Sequence, residues 1–285
     1  MRFGGRCLRE GDGCRRGIHQ RFPDHGRERT TLHIRTKKWA RPELAACPFY
    51  EPEGEERKGR WREAFGRPEL PLHLEMGCGK GVSTAAMAAA NPDINYVVVD
   101  ISPDVLGDTR RNLVRACGGN PGNVWILFAD ICLIDRYFDR EDGPERIYIS
   151  FCNPWNEHPK HEKRRLTHPR QLMQYRKALR PGGEIWFKTD DDRLYEDSLC
   201  YFRLCGFEKT YETRNLAQSG FEPNYISEHE KKYMEMGVPI KFGIFRMTEQ
   251  EPAFDPTRFR LTPGIRMNLL REEGPVDTGE TIRIK

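Results

Sequence analysis

The segment Leu74-Glu75-Met76-Gly77-Cys78-Gly79-Lys80-Gly81 sets three glycines at alternate positions behind a carboxylate. Glycine lets a chain turn sharply and leaves no Cβ in the way of a ligand. Between a strand and a helix, such a loop is the ligand cradle of open α/β sheets. The G-x-G-x-G spacing differs from the G-x-G-x-x-G of dinucleotide folds, and Glu75 would repel a pyrophosphate. S-adenosylmethionine fits that chemistry: it has no phosphate, and its ammonium and sulfonium are attracted by a carboxylate. Asp100 lies roughly twenty residues further on, where an acidic side chain can accept hydrogen bonds from both ribose hydroxyls of an adenosine. Asp130, at the end of the next strand candidate, is placed to hold the adenine edge. Each feature alone reads equally well as a tight turn or a strand-end cap. Three at successive strand ends read as a binding site, with Glu75, Gly77, Gly79, Asp100 and Asp130 as cofactor contacts.

Positioning those residues requires strands that end together. Pro71–Met76, Ile94–Asp100, Val124–Phe128, Arg146–Phe151 and Glu184–Thr189 are short, β-branched or aromatic runs bounded by Gly, Pro or Asp. Between them the pattern predicts helices over Val82–Ala90, Pro103–Cys117, a short Leu133–Phe138, Pro169–Leu179 and Arg193–Cys205. Two later strands, Lys209–Arg214 and Ile240–Met247, complete the set. The alternation predicts an α/β fold with a doubly wound, mostly parallel, seven-stranded sheet.

The 285 residues carry 37% hydrophobic and 32% charged side chains, enough apolar material for one sizeable core. No run approaches the roughly 20 apolar residues of a membrane span, so no membrane is expected. Nine cysteines without a C-x-x-C pair give neither a disulfide nor a metal framework; no metal is expected, and a reducing, cytoplasmic setting is. The net charge is +4, yet residues 1–50 hold twelve Lys/Arg against five Asp/Glu, leaving about −3 for the rest. A second basic stretch runs from Lys160 to Arg180. Two basic patches on a near-neutral body point to a polyanion such as nucleic acid. Residues 1–34 read as a basic, disordered extension or as translated sequence upstream of the natural start. Residues 35–248 read as the functional domain, and 249–285 as an irregular tail.

After the fourth strand candidate comes Asn153-Pro154-Trp155, followed by Lys160-His161-Glu162-Lys163-Arg164-Arg165-Leu166-Thr167. Here the chain resembles the bacterial tRNA (guanine-N7)-methyltransferase family, whose hallmark is an Asp/Asn-Pro-Trp turn and a basic run ending R-R-L-T. The likeness includes the basic residues before Trp39-Ala40, Phe187-Lys188-Thr189-Asp190 and Ser227-Glu228-His229-Glu230, and spans about 35–247. It implies a class I S-adenosylmethionine-dependent methyltransferase fold of the Rossmann-like type, with tRNA as partner and a variable-loop guanosine as target. It implies that Glu75, Asp100, Asp130 and Asn153 contact the cofactor, and that Asp190 and the Ser227–Glu230 segment hold the target nucleotide. Four positions depart from the family pattern. Asn153 stands for the commoner Asp, Glu157 for a lysine whose place Lys160 takes, and Ser227 and His229 for Thr and Tyr.

Guanine N7 presents an in-plane lone pair, so methylation needs placement rather than a strong base, and placement can be worth about 7–11 kcal/mol. Positive charge moves onto the guanine, which a carboxylate at its N1–H and amine edge would favour. That role falls to Asp190, with Glu230 as second clamp and Ser227 and Lys160 beside them; Asp190 and Asn153 are the candidate catalytic residues. Asp191 and Asp192 read as helix caps. Lys163, Arg164, Arg165, Lys37 and Lys38 are expected on RNA phosphates, the last two on a mobile arm with Arg35 and Trp39. Trp155 could stack on a base or pack on the sheet edge. A methyltransferase for another substrate and an inactive tRNA binder are the competing readings; the acidic loop makes a nicotinamide dehydrogenase improbable.

Overall fold

A computed structural model describes residues 36–252, 255–258, 261, 262 and 266. Arg35 and the extension expected over 1–34 lie outside the described residues, as does most of the tail. From Lys37 onward the described chain forms one compact unit. In order it contains α1 (Ala40–Ala45), β1 (Tyr50–Glu51), β2 (Leu72–Met76), α2 (Val82–Ala90), β3 (Asn95–Asp100), α3 (Pro103–Cys117), β4 (Val124–Phe128) and β5 (Arg146–Ser150). These are followed by α4 (Pro169–Ala178), β6 (Glu184–Thr189), α5 (Asp192–Leu204), β7 (Phe207–Thr213), α6 (Glu228–Glu235) and β8 (Lys241–Met247).

The strands form one sheet in the order β1-β4-β3-β2-β5-β6-β8-β7. All pairs are parallel except β6–β8 and β8–β7. The sheet has eight strands rather than seven, because two residues, Tyr50 and Glu51, pair with Ile126 and Leu127 at the edge. A two-residue strand leaves no periodicity to read.

Successive side chains on a strand point to opposite faces, and here both faces are covered. Val97 and Val99 join Leu74, Met76, Ile149, Phe187, Leu172 of α4 and Phe202 of α5 in one core. Tyr96 and Val98 join Ala85 and Met87 of α2, Leu106 and Leu113 of α3, and Leu44 of α1 in the other. That explains the unbroken apolar run of β3. The chain leaves β2 toward β3 and β4, then returns to β5 and β6 on the other side. The crevice beyond the carboxyl ends of β2 and β5 is therefore the switch point where such sheets bind ligands. No described helix is long and apolar enough to cross a membrane.

Candidate active site

The glycine loop leaves β2 and opens α2. Gly77, Gly79 and Gly81 all have positive φ (82°, 55° and 67°), which glycine adopts at little cost. Gly77 and Cys78 donate backbone hydrogen bonds to Val99 O at 2.9 and 3.2 Å, tying the loop to β3. Thr109 of α3 donates to Gly79 O at 2.7 Å. A Cβ on Gly81 would come within 2.5 Å of Thr109, whereas one on Gly79 would meet nothing within 4 Å. Gly81 is fixed by packing, and Gly79 faces open space.

Three carboxylates surround this loop. Glu75 is 4% exposed and accepts a hydrogen bond from the Thr84 hydroxyl. Burial raises its pKa to about 7, against the Thr84 hydrogen bond and the nearby Lys188 ammonium. Asp100 accepts from Ser102 N at 2.9 Å and Gly79 N at 3.4 Å, and burial pushes it up as well, against those hydrogen bonds. Asp130 caps the 3-10 helix Ile131–Arg136 by accepting from Cys132 N at 2.9 Å. Capping uses one oxygen lone pair and leaves others for a ligand. Ile101 and Leu133, 47% and 39% exposed, follow two of these acids. Large apolar side chains left open beside a polar cradle suit a flat ring, and they escaped the sequence reading because neither belongs to a periodic face. Acids at the strand ends, an open glycine and adjacent apolar surface together fit S-adenosylmethionine. Among the described residues no His, Cys, Asp and Glu cluster could hold a metal.

The other half of the crevice is built after β5. Phe151 and Trp155 have φ of 53° and 49°, a conformation uncommon for bulky residues. Asn153 Oδ1 accepts from Trp155 N at 3.0 Å, closing the turn. Trp155 is half-buried, lies edge-on to His161 at 5.9 Å and has the Arg164 guanidinium 5.1 Å from its ring centre.

The turn is braced from beneath by Arg165, and the expectation of a phosphate contact there is corrected. Arg165 is 1% exposed. Its guanidinium donates to Pro154 O at 2.7 Å, Asn156 Oδ1 at 2.8 Å and Asp197 Oδ2 at 2.7 Å. It follows the 3-10 helix Pro159–Arg164 as its C-cap, while Lys160, Lys163 and Arg164 are exposed. Adjacent arginines thus face opposite ways.

Asp190 directly follows β6, with its side chain 17% exposed and His229 Nε2 3.7 Å away. Burial pushes its pKa up, but the His229 imidazole, its own backbone N–H and Tyr233 outweigh that and hold it below the usual value. Asp191 caps α5 through Leu194 N at 2.6 Å. The His229 ring lies 4.9 Å from Phe151 and 4.7 Å from Tyr233, so β5, β6 and α6 meet at Asp190.

Two further site residues differ from expectation. Ser227 caps α6, accepting from Glu230 N at 3.0 Å, so its oxygen serves the helix and its O–H remains a donor. Glu230 is only 1% exposed. One of its oxygens accepts from Asn224 at 2.8 Å and the other from Lys188 at 3.2 Å. In this state it is a buried counter-ion rather than an open clamp. The S-x-x-E spacing that signals a helix start could have revealed α6. A lysine inside the apolar run Ile185-Trp186-Phe187-Lys188 could have flagged Lys188.

The arm is likewise corrected. Lys37 pairs with Asp108 and donates to Asp104 O at 3.1 Å, and Arg111 stacks 3.3 Å from the Trp39 ring centre. These contacts dock the segment on α3; of the two lysines, Lys38 is the exposed one.

A parallel sheet with its switch-point crevice, a glycine loop and acids at successive strand ends defines an S-adenosylmethionine-dependent methyltransferase of class I. A family described as "Putative methyltransferase" matches residues 69–242. The tRNA (guanine-N(7)-)-methyltransferase of Clostridium perfringens (strain SM101) is 49% identical over 216 residues, covering 75% of this chain and 98% of that protein. The protein of the same name from Ruminiclostridium cellulolyticum is 48% identical over 75% of this chain and 91% of its own length. The chain belongs to the tRNA (guanine-N7)-methyltransferase family. Among solved structures, the 16S rRNA methyltransferase KamB superposes with a TM-score of 0.45 at 13% identity, covering 78% of this chain and 97% of that one.

Proposed function

We propose that this protein transfers the methyl group of S-adenosylmethionine to N7 of a guanine in tRNA, in the variable loop by likeness to its family. The observation that carries the reading is the meeting of two half-sites at one switch point: acids and an open glycine on β2–β4, and an ionised Asp190 directly after β6 beside an Asn-Pro-Trp turn. When bound, the cofactor supplies an electrophilic methyl group. Glu75, Asp100 and Asp130 would hold its cationic and adenosine parts, with Ile101 and Leu133 against the ring. Asn153 orients the turn at the mouth. Asp190 would accept hydrogen bonds from the guanine N1–H and amine, favouring the positive charge that arrives on the base. No residue needs to remove a proton from N7. Lys160, Lys163, Arg164 and Lys38 are exposed and would lie against phosphates, positioning RNA without reading sequence. The seven described cysteines are unpaired, which supports a reducing, cytoplasmic setting.

The test is transfer of labelled methyl to unmodified bulk tRNA, followed by cleavage at 7-methylguanosine. Label in one variable-loop guanosine is the expected result. Binding of tRNA without transfer would favour the inactive-binder reading.

A further inference from the structure

We propose that the segment Asn224–Glu230 is a strap that positions the nucleotide side of the site, and that Lys188 is its anchor and positioning residue. The proposal rests on the functional reading above and adds to it Lys188, Asn224 and Tyr225, to which that reading gives no role, as the support of the Ser227–Glu230 segment.

The strap is fastened at three points. Lys188 Nζ donates to Asn224 Oδ1 and, at 3.2 Å, to Glu230 Oε2; Asn224 Nδ2 closes the triangle on Glu230 Oε1 at 2.8 Å. Asn91, which ends α2, donates to the Tyr225 hydroxyl at 2.8 Å. Lys80 of the glycine loop pairs with Glu228 at 2.8 Å. The strap therefore spans from the cofactor loop and its helix to β6, and runs directly into α6, which carries His229 and Tyr233 to Asp190. Of the three fastenings, Lys80–Glu228 is solvent-exposed, with both side chains more than half open, and such pairs contribute little. Lys188 and Glu230 are 14% and 2% exposed. Separating a buried charge pair strands a charge, so this pair favours the geometry that keeps Lys188 on Asn224 and Glu230.

Lys188 lies on the same sheet face as Glu75, with β5 between their strands, and its ammonium acts electrostatically on the Glu75 carboxylate. One side chain thus touches the strap and feels the charge state beneath the cofactor loop. Its work is to hold α6 where His229 and Tyr233 flank Asp190.

The experiment compares the full-length wild type with Lys188→Met in three readouts. These are hydrogen exchange over 219–235, affinity for S-adenosylhomocysteine, and kcat and KM for tRNA. The expected result is faster exchange confined to 219–235, S-adenosylhomocysteine affinity changed less than about threefold, and kcat/KM for tRNA down by an order of magnitude or more. Unchanged exchange in 219–235 overturns the proposal, and so does a loss of activity matched by an equal loss of S-adenosylhomocysteine affinity. If Lys188→Met does not fold, Tyr225→Phe removes one fastening and leaves the buried charges intact. A several-fold fall in kcat/KM with faster strap exchange supports the strap, and wild-type values for both overturn it. Exchange and S-adenosylhomocysteine binding need no turnover, so a wild type that methylates no guanine N7 would fail the functional reading while leaving the strap testable.

Discussion

Arg164 and Arg165 are neighbours in a basic run, and replacing each by alanine separates a surface role from an internal one. Arg165→Ala removes a guanidinium with no exposed side-chain surface that is 2.7 Å from Asp197 and leaves Pro154 O and Asn156 Oδ1 without their donor. Breaking a buried pair costs about 3–5 kcal/mol, chiefly by stranding the remaining charge. Asp197 would keep Arg266 and, at 3.8 Å, Arg193, so the low end, about 3 kcal/mol, applies. For a domain of this size each kcal/mol shifts Tm by about 2–4 °C, giving a fall of roughly 6–12 °C. Arg164→Ala should leave Tm nearly unchanged, because exposed substitutions stay within about 0.5 kcal/mol. Its effect should appear in tRNA binding across a salt series, where one lost phosphate contact lowers the log–log slope by about 0.7–0.9. The assays are thermal melting and filter binding of tRNA at several ionic strengths. A wild-type Tm for Arg165→Ala, together with a reduced salt slope, would put Arg165 on the RNA and refute the assignment.

Asp190→Asn should lower kcat/KM on the order of a hundredfold or more, the scale of losing one preorganised charge-stabilising group; wild-type turnover would remove Asp190 from the mechanism. Because its neighbours hold Asp190 below the ordinary aspartate range, the acidic limb of wild-type kcat/KM should contain no step from it at or above the usual carboxylate pKa, and a step there that Asp190→Asn abolishes would contradict the geometry. Glu75, raised from 4.5 to about 7 by burial, binds its proton more tightly folded than unfolded, so it costs stability progressively as pH rises from 4.5 to 7. Glu75→Gln should match wild type near the lower pH and exceed it above 7 by up to roughly 3 kcal/mol, and a pH-independent difference in melts would refute the buried-carboxyl account. Gly79→Ala should weaken S-adenosylhomocysteine binding with a small loss of Tm, while Gly81→Ala, forced against Thr109, should lose several degrees of Tm; equal behaviour of the two in both assays would dissolve the distinction between cradle and packing glycine.

The half of the candidate site whose placement is legible in the sequence is the half written in local pattern. Glu75, Asp100 and Asp130 lie at or just beyond the ends of successive strands, and each strand is bounded by its own apolar run and breaker. Helix α3 begins and ends as the sequence indicates because Pro103 opens it and Gly118, at φ 69°, closes it. What escaped depends on which way a side chain turns inside a charged or short segment. Pro159–Arg164 forms a 3-10 helix too short for hydrophobic periodicity, with Arg165 as its C-cap, so nothing in the run separates exposed Arg164 from buried Arg165. The partner that decides it, Asp197, lies 32 residues away on α5. Lys37 reads as a free basic arm until Asp108, 71 residues later, is brought to it by α3. Ion pairs between distant segments carry no local signature, and these pairs engage three expected RNA or nucleotide contacts: Arg165 and Glu230 are buried, and Lys37 is docked half-buried on α3.

The same distinction between local charge and environment governs the two carboxylates that matter most on the proposed assignment. Glu75 and Asp190 are both largely withdrawn from water, and burial pushes both upward. They diverge because of what surrounds them. Glu75 is sealed under the glycine loop with one hydroxyl donor, and its charge remains costly. Asp190 sits at the crevice mouth with His229, Tyr233 and its own backbone N–H around it, and its charge is held. Environments that push like groups apart assign them different work. Methyl transfer moves positive charge from the cofactor side to the guanine, and the carboxylate kept ionised is the one at the mouth. The strap supplies two of its neighbours, His229 and Tyr233, by carrying α6. The hold on Asp190's charge then depends in part on the anchoring of the strap by Lys188, and loosening the strap should reach the guanine through Asp190.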